Sequence, residues 1–412
     1  MTAPVQFRPP HVESVPLGSA GGRLVVVPRP GELAEVRVVL PAVPVESGHT
    51  GRVQTVAEAL RRQLGETLAG TADLRVESRP DRIIVSARAL REDADTVVRQ
   101  VGTALAATAL GELDLRRAAD TVRARVAAGA THPLTTARTA FLRAVYGSHP
   151  LAEEGADLAP DLSVCTPATL VRDIELSRCS VVLVGGAGVD VVAPVVRSAF
   201  EPVGATAVGS GAAPAVVRRP EPRVGRVSNP RAAGDLLRLG TLGPARDHVD
   251  YPALQLGALM LGGYYASSLT RILREREGLS YAPRAVLDPV ADAATLVIEA
   301  DVPGGRAGEA TGFVREAYEA LSAAGSAAAL DTARTFAIGS MALACSSRSG
   351  LASVLAGVLG SGLEPSWLAR YAERLGGVGP RTLSAALDRH WAWDRLAGAV
   401  VTSKNHPPFR NE

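Results

Sequence analysis

Lysine is almost missing from this chain: of 44 basic residues only Lys404 is one, the rest being arginine. Acidic residues number 42, so the net charge is +2, and the arginines form no long run. That balance removes the electrostatic case for nucleic acid. Aromatic residues are only 4% of the chain, so the core has to be built from Ala, Val and Leu. Three cysteines, Cys165, Cys179 and Cys345, are odd in number and far apart, which excludes a disulfide framework and leaves reduced core thiols. Long uninterrupted apolar runs are lacking too. The most apolar stretch, SVVLVGGAGVDVVAPVV (180–196), contains Asp190 and several glycines, and reads as a buried strand followed by a turn and helix, not a membrane span. The N-terminal MTAPVQFRPPHVESVPLG has neither a basic start nor an apolar core, so no signal peptide is expected and a cytoplasmic location is.

What is present is ordinary for a folded protein: 47% apolar and 21% charged residues over 412 positions. That length implies two domains at roughly 100–200 residues each. The wealth of Ala, Gly, Val and Arg suits a high-GC bacterial genome, a statement about codons and not about function. A Gly-, Pro- and Ala-rich region at 203–232 lies near the middle and reads as a linker, with domains expected at 1–205 and 222–412 around a linker at 206–221.

The two halves repeat one order of elements. In the first, alternation marks strands at 23–30 and 35–42, a helical period follows at 53–68, and a hairpin at 73–78 and 81–89 turns at Arg79-Pro80. Helices are expected at 91–110, 114–129, 135–147 and 166–175, then a strand at 179–186. In the second half, strands at 222–228 and 235–242 precede a helix at 251–263 and a hairpin at 280–287 and 294–302. Helices follow at 305–323, 329–345, 348–360, 366–376 and 379–390, and a last strand at 396–403. CTPATL (165–170) matches VGPRTL (378–383), each before a final apolar strand. A repeat near two hundred residues suits duplicated α+β domains and is too long for a solenoid.

The segment LMLGGYYASSLTRILREREGLSYAP (259–283) carries the sharpest motif. Leu269, Ile272 and Leu273 form an apolar face beside charged residues, Gly278 sits where a helix ends, and Leu279 and Tyr281 alternate as if a strand began. With its duplicated halves and length, the chain resembles the pitrilysin/insulinase family of zinc peptidases, in the branch of mitochondrial processing peptidase and its bacterial relatives. The resemblance runs over nearly the whole chain, with weaker echoes at AVYGSHPL (144–151) and SVVLVGG (180–186). It implies two homologous domains, each an antiparallel-rich mixed sheet covered by helices, together forming half of a clamshell.

In active members of that family the first helix carries His-x-x-Glu-His, two histidines binding zinc and the glutamate activating the zinc-bound water. Here the corresponding residues are Thr55, Glu58 and Ala59, and the segment that should supply the distal glutamate ligand, DTVRARVAAGA (120–130), has none. His11, His49, His132, His149, His248, His390 and His406 never fall at i, i+4, and each reads as a solvated or hydrogen-bonded structural residue. Glu58 alone reads as an exposed helix residue. The chain is therefore expected to hold no catalytic zinc and to be inactive by itself.

The resemblance also implies a role for Arg274 and Tyr281. In the two-subunit branch the zinc-less subunit lends such a pair to its partner's site, where a guanidinium offers paired donors to a peptide carbonyl and a phenol can donate to an oxyanion. The competing reading pairs Arg274 with a neighbouring glutamate and makes Tyr281 sheet packing. Gly262-Gly263 belongs to no phosphate-binding signature and is either a structural turn or a turn that lets substrate approach the backbone. Trp391 and Trp393 are expected to plug the gap between the last helix and strand.

The leading expectation is thus the zinc-less subunit of a heterodimeric metalloendopeptidase. Its partner is a zinc-bearing homologue and its substrate a peptide, with leader-peptide removal as one task. The alternative is a non-enzymatic structural or peptide-binding scaffold of the same fold. A homodimer is compatible with the same residues.

Overall fold

The structure is a computed structural model and describes residues 7–18, 21–109, 114–154, 171–206, 215, 221–323 and 327–403. The first sheet has strands β1 (Glu13–Pro16), β2 (Arg23–Val27), β3 (Leu33–Pro41), β4 (Ala72–Arg79), β5 (Arg82–Leu90) and β6 (Ser180–Val184), in the order β1-β2-β6-β3-β5-β4. The second has β7 (Val224–Ser228), β8 (Asp235–Pro244), β9 (Arg284–Val290), β10 (Ala293–Val302) and β11 (Ala397–Thr402), in the order β7-β11-β8-β10-β9. Apart from β1 the two sheets have one topology. In each, the first strand pairs parallel with the last, and the remaining pairs are antiparallel. The duplication read from the sequence is therefore present strand for strand. The short β1, half-buried and on an edge, was not foreseen.

Helices α1 (His49–Thr67), α2 (Ala94–Ala109), α3 (Leu115–Gly129), α4 (Pro133–Tyr146) and α5 (Val189–Thr206) belong to the first half. The second half adds α6 (Tyr251–Ala258), α7 (Ala307–Ala323), α8 (Ala327–Ser346), α9 (Arg348–Gly360), α10 (Trp367–Gly377) and α11 (Pro380–His390). The helix expected at 166–175 does not hold where it is described: 166–170 lie outside the described residues, and after Val171 the chain turns, with Ile174 bridging Ala42. Of the expected linker 206–221, Thr206 ends α5 and Ala215 and Glu221 also lie among the described residues, the Ala215 N–H donating to the Pro44 carbonyl at 2.8 Å. No single described helix is long and apolar enough to cross a membrane.

The strand period of two explains the cores. Val36, Val38 and Leu40 of β3 point to one face and pack with Val53, Val56 and Leu60 of α1, while Leu237 and Leu239 of β8 pack with Leu254 of α6. Trp391, 1% exposed, fills the second core between α11 and β11, as its position in the sequence implied. Trp393 packs edge-on against Tyr318. Cys179 and Cys345 are buried free thiols, and burial pushes Cys179 up to about 12.

β3 and β8 are buried on their other faces as well, and the covering comes from the opposite half. Leu351, Leu355 and Leu359 of α9 lie on Val25, Val27, Val182 and Val184 of the first sheet. Reciprocally, Phe141, Val145 and Tyr146 of α4 lie against Leu242, Val290 and Ala397 of the second. A Cβ on Gly240 would fall 1.9 Å from the Leu296 carbonyl and 2.9 Å from the Phe141 ring, so only glycine lets α4 seat this closely. Each half thus contributes a helix to the other's sheet.

Candidate functional site

At the position where the family resemblance implies metal ligands, α1 presents Thr55, Glu58 and Ala59. Thr55 is fully buried, and its hydroxyl donates to the Gly51 carbonyl at 2.8 Å. Ala59 offers only a methyl to the core. Glu58 is not the exposed residue expected: it is 3% exposed. Its carboxylate accepts from Arg61 at 2.5 and 3.1 Å and from Arg125 of α3 at 2.8 Å. The hydrogen bonds from Arg61, opposed by burial and joined by Arg125, hold the carboxyl below the usual range. Burial went unforeseen because Arg125 lies in the next-but-one helix, and only the fold brings it over Glu58. The donor set does not suit zinc. One candidate ligand lacks a donor atom, another is a hydroxyl committed to its own helix, and two guanidinium groups already neutralise the remaining carboxylate.

The second position is the segment around Arg274. Its helical turn is a π-helix, Thr270–Arg276, closed by Gly278 at φ +60°. The N–H groups of Leu279 and Ser280 both donate to the Leu273 carbonyl, at 2.7 and 3.0 Å. Leu273 and Leu279 are buried in the second core, so the turn is anchored from beneath. No strand begins at Leu279: β9 starts at Arg284, and the intervening residues are loop. Tyr281 is consequently not sheet packing. It is 81% exposed, with the Arg274 guanidinium carbon 4.6 Å from its ring centroid. On the other side Arg274 meets Tyr265, itself 70% exposed, at 5.4 Å. Such exposed cation–π contacts are worth about 0.5–1 kcal/mol each, enough to bias the guanidinium's position.

The neighbouring arginines differ. Arg276 is bound by Glu316 and Glu277, and Arg271 reaches the Ser268 hydroxyl. The Arg274 side chain makes no hydrogen bond or ion pair with any described residue. The pairing with a neighbouring glutamate that competed for it is absent among the described residues, and its donor fork is open. Gly262 has a packing reason: a Cβ there would fall 2.3 Å from the Ala285 nitrogen, so it lets its helix sit on β9.

The described histidines are mostly structural, as their spacing implied; His406 lies outside the described residues. Buried His49 faces Asp173 at 3.0 Å and the Pro80 carbonyl at 2.5 Å, and Arg52 joins the same carboxylate. His149 donates to the Ala215 carbonyl at 3.0 Å. One grouping escaped the sequence: His248, Asp250 and His390 bring ligand-type atoms within 4.8 Å of one another. The chain separation of His390 from Asp250 is 140 residues, so spacing gave no signal. Asp250 is already engaged by His390 at 2.9 Å and Arg389 at 2.5 Å. Burial raises its carboxyl and those two hydrogen bonds more than offset it, leaving a depressed value. A cation would have to displace the guanidinium.

Two clefts, about 670 and 390 Å³, lie between the halves, and neither is lined by Arg274 or Tyr281. Exposed Tyr281 and half-buried Arg274 lie outside both.

Fold and residues together define a duplicated α+β protein in which Glu58 of α1 is held by two arginines. Residues 175–336 match the family model described as the peptidase M16 inactive domain. The fold is shared with a peptidase M16 inactive domain from Pseudomonas fluorescens (TM-score 0.78, 19% identity, 95% of this chain and 98% of that one). A protease from Helicobacter pylori aligns at TM-score 0.79 and 16% identity over 96% and 100% of the two chains. A chain of complex III from Candida albicans aligns at 0.76 and 13% over 93% and 94%. No curated protein matches the sequence significantly. Residues 175–336 are thus similar to the M16 inactive domain, and the fold is shared with these solved chains over nearly the whole length.

Proposed function

We propose that this chain is the zinc-less subunit of a two-subunit metalloendopeptidase, lending Arg274 and Tyr281 to the site of a zinc-bearing homologue that cleaves peptides. The observation that carries this reading is the state of Arg274: nearby Arg276 is tied to two glutamates, yet the Arg274 guanidinium stands without an ion pair between two exposed phenols. An unpaired guanidinium fork suits a peptide carbonyl, and a phenol 4.6 Å away suits the oxyanion formed when water attacks it. The ion pair at Glu58 supports dependence on a partner for the metal. Leader-peptide removal is one task such a pair would perform.

The test is kinetic. With the complex reconstituted from a co-expressed zinc-bearing homologue, Tyr281→Phe removes one oxyanion donor and keeps the ring. A donor of that kind is worth about 2.7–4 kcal/mol, so turnover should fall about a hundredfold or more. Arg274→Ala should weaken peptide binding as well. Neither change should alter assembly or melting temperature. Normal turnover in both variants would leave the chain a scaffold of the same fold.

A further inference from the structure

The C-terminal part of α8 is anomalous for a surface helix. From Thr335 to Ser346 it carries no charged residue, yet of these twelve positions only Cys345 is buried. Phe336 is 43% exposed and Leu343 75% exposed. They lie seven residues apart, hence on one face, with Gly339 and Ser340 between them. Neighbouring α7 shows the ordinary pattern, its surface tied by pairs such as Arg315–Glu319. A charge-free helix face is normally buried.

This face is continuous with the candidate site. The Phe336 ring lies 5.3 Å from that of Tyr264, the next residue is Tyr265, and Tyr265 flanks Arg274. Resting on the reading of Arg274 and Tyr281 as a peptide-binding pair, we infer that Tyr264, Phe336 and Leu343 form an apolar track for large aliphatic or aromatic side chains of the same extended peptide. Phe336 and Leu343 are about 10 Å apart at 1.5 Å per residue, which matches about three residues of extended chain. One guanidinium beside an uncharged track complements a peptide that offers backbone carbonyls to Arg274 and apolar side chains to α8. The exposed Phe and Leu with small residues between them amount to roughly a few hundred Å², short of the about 800 Å² per partner that a stable subunit contact needs.

Fluorescence polarisation of two fluorescein-labelled decapeptides, Gly/Ser-based and differing only in a central Leu-Leu or Ser-Ser, tests this on the full chain. Wild type should prefer the Leu-Leu peptide about tenfold to a hundredfold. Leu343→Glu and Phe336→Asp should abolish that preference, whereas Arg274→Ala should weaken both peptides alike. Because both α8 residues are exposed, unchanged melting temperatures serve as the folding control. If Arg274→Ala weakens binding but the α8 variants keep the preference, the track is refuted and the pair stands. If the α8 variants erase the preference and Arg274→Ala changes nothing, the track stands and the pair's role falls. Absence of any binding overturns both. Concentration-dependent self-association, or capture of a co-expressed zinc-bearing homologue, that Leu343→Glu abolishes would make this face a subunit contact and overturn the track.

Discussion

Phe141→Ala measures how far the exchanged helices bind the two halves into one unit. Phe141 belongs to the first half by sequence, is 3% exposed, and rests on Gly240, Leu242 and Val290 of the second sheet. Truncating a buried Phe costs about 3–5 kcal/mol, and the rigid β8 backbone beneath it leaves the cavity little room to collapse. If the halves unfold together, the unfolding entropy of the whole chain is about 0.85 kcal/mol per kelvin, and the melting temperature should drop by about 4–6 °C in a single calorimetric transition. If they unfold separately, only the half that loses the contact responds, with about half that entropy, and one of two transitions should drop by about 8–12 °C. Leu355→Ala in α9, buried on the first sheet, makes the reciprocal perturbation and should shift the same single transition. Two resolved transitions in the parent chain, moved one by each variant, would refute the claim that the swapped helices make the halves cooperative.

Glu58→Gln should destabilise the chain by about 1–3 kcal/mol at neutral pH, since it leaves two guanidinium groups facing a neutral amide. The folded carboxyl is depressed, so this advantage of the parent is present above the unfolded carboxyl pKa, near 4.3, and is lost as pH falls through the lower folded value. A stability gap that widened on acidification would contradict it. Chelator should leave the melting temperature unchanged, and zinc titration should show no stoichiometric site that depends on Glu58; calorimetry on parent and Glu58→Ala decides. Gly240→Ala should destabilise by more than an ordinary Gly→Ala exchange in a strand, because its Cβ meets the Leu296 carbonyl and the Phe141 ring; a variant as stable as the parent by urea titration would refute that close approach.

Much of the fold was legible in local periodicity. Alternation over Val36, Val38 and Leu40 and over Leu237 and Leu239 marked strands, and the helices between them fell within a few residues of their positions. Once the resemblance placed a ligand motif on α1, the unsuitable Thr55 and Ala59 were equally plain, because a ligand set on one helix is read from residue type and spacing. The strand expected at Leu279–Tyr281 was wrong: two alternating residues after Gly278 are too few to separate a strand from a loop pinned to Leu273.

Residue type and local spacing determined the duplicated order of elements, while the family resemblance, and not spacing, singled out Thr55, Ala59, Arg274 and Tyr281. Tertiary structure decided which residues from distant segments share a surface. It laid Arg125 over Glu58, seated α4 and α9 on each other's sheets, and gathered His248, Asp250 and His390. It also left the Arg274 side chain unpaired beside Tyr281 while Arg276 found two glutamates. Periodicity reports which face of an element is apolar, but the partner that covers that face is set by how whole sheets and helices stack, and no local pattern encodes it.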